Sequence, residues 1–305
     1  MSWTKRLRFN HLNLLVVLAE TGSLSEAART THTTQPALSR WIKELEEDVG
    51  SQLFERHARG ITPTPAGKML LTYAQRITSQ AKRAQQNIDA LKEGSSRSVA
   101  IGTSPASAPS FVPAAIARFL KQHPNSKIKF YENTMNALIA KLELGELDLV
   151  VGRLDNYQPQ PDMQSEVLYK ERICIVSRLS HPLAQRGKLS WDDLYQYDWI
   201  VWPEGTPIRS KLDIALTTSG RKPPNYRIES NSQVGNLWLL QFTDMLSIAS
   251  ERVAIHFHER GLMTPLNIEI DSGEGAVGMV WRDEENLDCL ILNLLDSFRS
   301  SKGFI

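Results

Sequence analysis

The sequence predicts an α/β protein headed by a small all-α domain, the two joined by one long helix. Three observations carry this. Apolar residues recur at helical spacing through the first ninety or so positions, the stretch Gly94-Ser95-Ser96 interrupts that pattern, and beyond it short apolar runs alternate with amphipathic segments. At 305 residues and 41% hydrophobic, the chain has material for a core in each part.

In the head, Phe9, Leu12, Leu15, Val16 and Ala19 outline a first helix that Gly22 stops. Ser23-Leu24-Ser25-Glu26 spells a capping box, so a second helix starts at about Leu24. Its Ala27 and Ala28 let a neighbouring helix approach closely before the chain turns at Thr30-Thr31-His32-Thr33-Thr34. Thr33 or Thr34 caps a third helix with Pro36 in its first turn. Leu38, Ile42, Leu45 and Val49 form its apolar stripe, and Gly50 ends it. Gln35, Ser39, Arg40 and Lys43 are left facing outward. A Gln can pair with adenine through both ends of its carboxamide, and an Arg can pair with guanine or clamp a phosphate, so this helix-turn-helix is suited to reading DNA. Leu53-Phe54-Glu55-Arg56 and Ile61-Thr62-Pro63 flank a basic turn, His57-Ala58-Arg59-Gly60, and form a hairpin able to lie against a nucleic-acid backbone.

The joining helix opens with Thr64 as cap and Pro65 at its first position, and runs to about Lys92. Leu70, Ala74, Ile77, Ala81, Ala84, Ile88 and Leu91 alternate steps of four and three, the seam by which two copies of a helix pair. A homodimer follows, which suits the two half-sites of a palindromic operator.

Past the linker, Ser98–Gly102, Lys127–Tyr131 and Leu149–Gly152 read as strands, separated by helices near 110 to 122 and before Gly145. A second set follows: Arg172–Val176, Trp199–Trp202, helices after Thr206 and Ser232, and Met245–Ala249. The last strand, Val277–Arg282, and a helix from Asn286 to Phe298 return to the first set. Two lobes with largely parallel sheets are expected, and a ligand would bind beyond the carboxyl ends of their strands. There lie Thr103, Ser104 and Ser107, which precede a helix whose free amides favour an anion, with Asn133, Thr134, Arg153, Thr206 and Ser232 at corresponding loop positions. Trp202 either stacks on a ligand ring or fills the core.

Charge is unevenly placed. Residues 1 to 83 hold 12 Lys and Arg against 7 Asp and Glu, an excess of +5, and the remainder holds 23 against 27, or −4. A basic head favours a polyanion. Cys174 and Cys289 lack metal or CxxC spacing, so neither a zinc site nor a disulfide framework is expected; both read as buried strand and helix residues, with redox sensing through either as an alternative. No signal peptide or membrane span is evident, which fits a cytoplasmic protein. Enzymatic signatures such as GxSxG, GxxxxGK[ST], HExxH or GxGxxG are absent, and His256 and His258 stand two apart, on different faces of a helix. The chain reads as neither an enzyme nor a secreted solute-binding protein of the two-lobed kind, although both remain alternatives for the second part.

Ser23-Leu24-Ser25-Glu26-Ala27-Ala28, Gln35-Pro36-Ala37-Leu38-Ser39-Arg40, Leu45-Glu46, Gly50, Leu53-Phe54-Glu55-Arg56 and Thr64-Pro65-Ala66-Gly67 together resemble the LysR-type transcriptional regulators. The match is ordered and gap-free, and the rest of the chain resembles the family's effector domain more loosely. Thr31 and Thr33 stand where the family has apolar residues, Pro63 stands for a Leu beside the wing, and Trp41 replaces a common polar residue. The resemblance implies a winged helix-turn-helix over residues 1–64, a linker helix over 65–94 and a periplasmic-binding-protein-like effector domain over 95–305. Lobe I would take about 95–167 and 266–305, and lobe II about 168–265. It further implies that the positions of Gln35, Pro36, Ser39 and Arg40 face the major groove, with Arg56 and Arg59 on the wing; Ser25, Thr34 and Lys43 complete the DNA-facing set. A homotetramer, operator DNA, RNA polymerase and a small effector are the implied partners, with no cofactor. The family's equivalent loops often bind carboxylates, and the segments 202–206 and 242–246 are similar to those of members that regulate aromatic-acid or sugar metabolism, so the effector would be a carboxylate, an aromatic acid or a sugar.

Overall fold

A computed structural model of the chain describes residues 3–58, 60–92, 98–105, 109, 111–283 and 288–301. Two compact units divide near residue 97.

The first unit holds α1 (Phe9–Thr21), α2 (Leu24–Thr30) and α3 (Gln35–Val49), the hairpin β1 (Phe54–His57) and β2 (Gly60–Pro63), and α4 (Pro65–Lys92). Gly22 (φ 61°) and Gly50 (φ 73°) end α1 and α3 in the left-handed conformation, as expected from their positions. The buried face of α1 is Leu12, Leu15 and Leu18, with Val16 only half-buried. Those leucines meet Ala27 and Ala28 of α2 and Leu38, Ile42 and Leu45 of α3, with Leu53, Phe54, Ile61 and Leu71 closing the core. The capping box of α2 is half made: Ser23 Oγ accepts from the Glu26 amide, but the Glu26 carboxylate accepts from Arg29 Nη2 at 2.7 Å. An exposed carboxylate has a choice of donors, and here a side-chain cation three residues on competes with the cap amide.

The second unit runs β3 (Ser98–Thr103), α5 (Phe111–Gln122), β4 (Lys127–Glu132), α6 (Met135–Glu143), β5 (Leu149–Arg153), β6 (Met163–Glu171), β7 (Ile173–Ser177), α7 (Trp191–Leu194), β8 (Trp199–Val201), α8 (Pro207–Thr218), β9 (Tyr226–Glu229), α9 (Gln233–Phe242), β10 (Leu246–Ser250), α10 (Glu251–His258), β11 (Thr264–Pro265), β12 (Gly275–Arg282) and α11 (Cys289–Ser300). The strands form two five-stranded sheets, ordered β4-β3-β5-β12-β6 and β11-β7-β10-β8-β9. In each, one central strand, β3 or β8, has parallel neighbours on both sides, while the remaining pairings are antiparallel. The expectation of largely parallel sheets is therefore corrected: half the pairings are antiparallel. Strands that return directly from the other lobe can enter without a crossover helix.

Side chains alternate across the first sheet with period two. Val99, Ile101, Leu149, Val151, Met279 and Trp281 face α5 and α11, whereas Ala100, Val150 and Val280 face α6. The second sheet is likewise covered on both faces, by α8 on one side and by α9 and α10 on the other. The first sheet keeps β6 through Glu171, and Leu266, Ile268 and Ile270 pack on the second core, so the lobes exchange chain at residues 171–173 and 270–275, a few residues later than expected. The last helix starts at Cys289, capped by Asp288; Asn286, its expected start, lies outside the described residues. Cys289 is exposed at that first helical position, correcting its reading as a buried residue.

Candidate functional site

The turn between α2 and α3 is built from backbone bonds and threonine hydroxyls. Thr31 Oγ1 donates to the Ala27 carbonyl at 2.7 Å, His32 adopts φ 54°, and the Thr33 amide reaches Ala28 O at 2.9 Å. A threonine is thus accommodated at the apolar position because its hydroxyl finishes α2. Thr34 Oγ1 accepts from the Ala37 amide and starts α3.

With Leu38, Ile42 and Leu45 facing inward, the helical period leaves Gln35, Pro36, Arg40 and Lys43 exposed and Ser39 half-buried on the outer face. Two long-range bonds cross this face. Ser25 Oγ donates to Gln35 Oε1 at 2.9 Å, and Arg56 Nη2 donates to Ser39 Oγ at 2.8 Å. Arg56, expected to serve the wing, therefore reaches back to the recognition helix. Lys43 lies 3.8 Å from Glu47, both well exposed, a pairing that DNA could outcompete. Trp41 packs on the His11 ring with centroids 4.7 Å apart, which assigns it to the core edge. Burial, and then Arg8, lowers the pKa of His11 below the usual imidazole range, so this ring stacks as a neutral group at neutral pH. Arg59 lies outside the described residues.

The anchor of the hairpin is a residue outside the expected DNA-facing set. Glu46 accepts from the Leu53 and Phe54 amides at 2.7 and 3.0 Å, joining the end of α3 to the start of β1. The available signal was a charged residue beside Leu45 on the inner edge of the stripe.

In the second unit, topology brings strand ends together. β6 runs parallel to β5, so Glu171 and Arg153 end on the same sheet edge, and Ile173 pairs with Ser250 at the end of β10. The carboxyl ends of both parallel strand sets therefore face the crossover, the place where α/β sheets bind ligands. Thr103 and Ser104 are buried there: the Ser104 amide bonds Val151 O, and Thr103 O accepts from the Asn133 amide. Asn133 Oδ1 accepts from the Thr134 amide, and both residues are exposed. Ser107 lies outside the described residues, and α5 follows from Phe111, close to its expected start near residue 110. Ser232 Oγ caps α9 by accepting from Gly235 N at 3.0 Å. Thr206 Oγ1 turns to Pro203 O at 2.6 Å and leaves the α8 terminus without a side-chain cap.

Two of the residues expected to meet a ligand, Trp202 and Arg153, are buried in the second unit. Trp202 is buried in the second lobe's core with Nε1 donating to Ile248 O at 3.2 Å, because its indole completes the packing of Ile208 and Leu212. Arg153 is 2% exposed and held between Asp155 at 3.0 Å and Glu171 at 3.3 Å. Two carboxylates oppose that guanidinium through Nε and Nη1, while its buried Nη2 has no hydrogen-bond partner among the described residues. Burial pushes the Glu171 carboxyl up to about 6, against the opposing pull of Arg153. Lys211 of the second lobe reaches Asp155 at 3.5 Å and the Glu274 carbonyl at 2.9 Å, Asn156 Nδ2 donates to Gly205 O at 3.4 Å, and Arg252 lies 3.9 Å from the Tyr169 ring centre. These contacts tie the two lobes beside the crossover.

Comparison with known proteins places this geometry. Residues 9–68 match the family described as bacterial regulatory helix-turn-helix protein, lysR family, and residues 92–302 match the LysR substrate binding domain. The HTH-type transcriptional regulator GbpR of Azospirillum brasilense is 31% identical over 92% of this chain and 83% of its own. The regulator PcaQ of Agrobacterium fabrum is 28% identical over 98% and 96%. Among solved structures, full-length CbnR complexed with its target DNA superposes with a TM-score of 0.68 at 20% identity, covering 97% of this chain and all of that one.

Proposed function

Because the chain belongs to the LysR family of helix-turn-helix transcriptional regulators, we propose that it is a sequence-specific regulator whose α3 enters the major groove of an operator. Gln35, Pro36, Ser39 and Arg40 meet base edges; Ser25, Thr34, Lys43, Arg56 and Arg59 support them or hold the backbone. The observation that carries this reading is the outer face of α3, where Gln35 is held by Ser25 and half-buried Ser39 by Arg56, with Arg40 and Lys43 exposed beside them. α4 pairs two subunits, and effector domains join the dimers into a tetramer that presents its helices to two half-sites and contacts RNA polymerase.

A small molecule in the cleft of the second unit biases two arrangements of that assembly, and it acts only through its different affinity for each. A carboxylate, aromatic acid or sugar would be held by Thr103, Ser104, Asn133 and Thr134 from one lobe and by the uncapped start of α8 from the other. Redox sensing is the weaker reading. Burial pushes the Cys174 thiol up to about 12, far from the thiolate that reacts with peroxide, and Cys289 lies on a separate helix.

The test is Arg40→Ala, with binding measured to an operator selected from random DNA and to unrelated duplex. Operator affinity falls by about 1–3 kcal/mol while non-specific affinity changes little. Equal operator selectivity in the variant refutes base reading by α3.

A further inference from the structure

Within that base-reading assignment, on which this inference rests, the hydrogen bonds around Gln35 have a direction. Ser25 Oγ donates to Gln35 Oε1 at 2.9 Å, which turns the oxygen end of the carboxamide toward α2 and leaves its amino end to offer. Arg56 Nη2 donates to Ser39 Oγ at 2.8 Å, occupying acceptor capacity of that hydroxyl while its proton remains available. Arg40 and Lys43, both exposed, carry donors only. We propose that Ser25 is a specificity-determining positioning residue: it makes the reading face of α3 a donor surface, so the base opposite Gln35 is one that presents acceptors, guanine through O6 and N7 or thymine through O4.

The reasoning is one of pairing chemistry. A Gln free at both ends pairs with adenine by accepting from N6 and donating to N7. Once its oxygen is held toward α2, the N6 amino group of adenine meets a donor, an unfavourable pairing, whereas a keto edge is matched. Ser25 can exert this control without touching DNA. It stands on α2, ten residues before Gln35, and it does not cap that helix, because Ser23 does. Replacing Ser25 therefore removes the bond to Gln35 and spares the start of α2.

The full-length chain and its Ser25→Ala, Ser25→Thr and Gln35→Ala variants would each select sites from a pool of randomised double-stranded DNA. The half-site position at which Gln35→Ala flattens base preference identifies the base that Gln35 reads. The wild type is expected to favour guanine or thymine there, and Ser25→Ala to raise adenine relative to them by ~10-fold or more. Ser25→Thr, which retains the hydroxyl, is expected to keep the wild-type preference. A wild-type preference for adenine or cytosine at that position overturns the proposal. So does a Ser25→Ala variant that binds more weakly with unchanged preference, which would make Ser25 a backbone contact and leave base reading by Gln35 intact. If Gln35→Ala flattens no position, the assignment of Gln35 to base edges fails, and the role of Ser25 falls with it.

Discussion

Glu171 is the residue on which the electrostatics of the lobe crossover turn. It is buried at the crossover between lobes and faces Arg153 at 3.3 Å. Its carboxyl titrates near 6 in the folded chain against 4.5 ordinarily, burial being the larger cause and Arg153 the opposing one. The folded state thus binds the extra proton between these values. The resulting stabilisation is fully present below about 4.5 and is lost as pH rises through about 6, amounting to ~2 kcal/mol at most. Thermal midpoints of the wild type and Glu171→Gln, measured from pH 4 to 7, should diverge in their pH slope across this window, with the variant flatter. Parallel curves would show that Glu171 titrates at its ordinary value. Trp202 illustrates a different ambiguity: a tryptophan at a strand end has the same local pattern whether it stacks on a ligand or fills a core, and only the Ile248 carbonyl beside Nε1 decides between them.

Among the elements, the wing is held by features that a strand propensity does not reveal. Glu46 satisfies two amides at the start of β1, and Thr64 Oγ1 donates to Gln52 O at 2.7 Å and accepts from Gly67 N at 3.0 Å. Replacing Glu46 with Ala orphans the Leu53 and Phe54 amides, and denaturant unfolding should register a loss of about 1–3 kcal/mol. α4 passes so close to β1 that a Cβ on Gly67 would sit 1.9 Å from the Leu53 carbonyl oxygen. Because that neighbour is backbone, Gly67→Ala should cost at least 1–3 kcal/mol in the same assay and should weaken DNA binding by displacing the wing. A Gly67→Ala variant as stable as the wild type would mean that α4 moves away freely.

For the whole molecule, the seam along α4 divides in two. Ala74 is fully buried and Leu70 half-buried within the subunit's own head, while Ile77, Ala81, Ala84 and Ile88 are exposed; Met69 and Tyr73 are exposed beside them. A long helix with an unpartnered apolar stripe needs a second surface. Ile88→Lys buries a charge at each copy of the proposed contact and should weaken self-association at least ~10-fold in sedimentation experiments, with operator affinity falling in step. Unchanged association would move the subunit contact away from the C-terminal half of α4. Among the described residues, no helix is long and apolar enough to cross a membrane.

What the amino-acid order determines is chiefly local. The 3.6-residue stripes, the caps Ser23 and Thr34, the stops Gly22 and Gly50 and the alternation of strand and helix are all interactions within a few residues, and each element of the helix-turn-helix stands close to where those signals place it. Most of the site polarity is not local. Ser25 meets Gln35 across ten residues, Arg56 meets Ser39 across seventeen, and Arg153 meets Glu171 across eighteen. The antiparallel returns of β7 and β12 likewise depend on where a strand from the other lobe arrives. Such contacts are chosen by the packing of whole elements, which decides which donor finds which acceptor. Tertiary structure therefore decided which partners within the fold the candidate side chains meet, as the Ile248 carbonyl does for Trp202 and the Asp155 and Glu171 carboxylates do for Arg153.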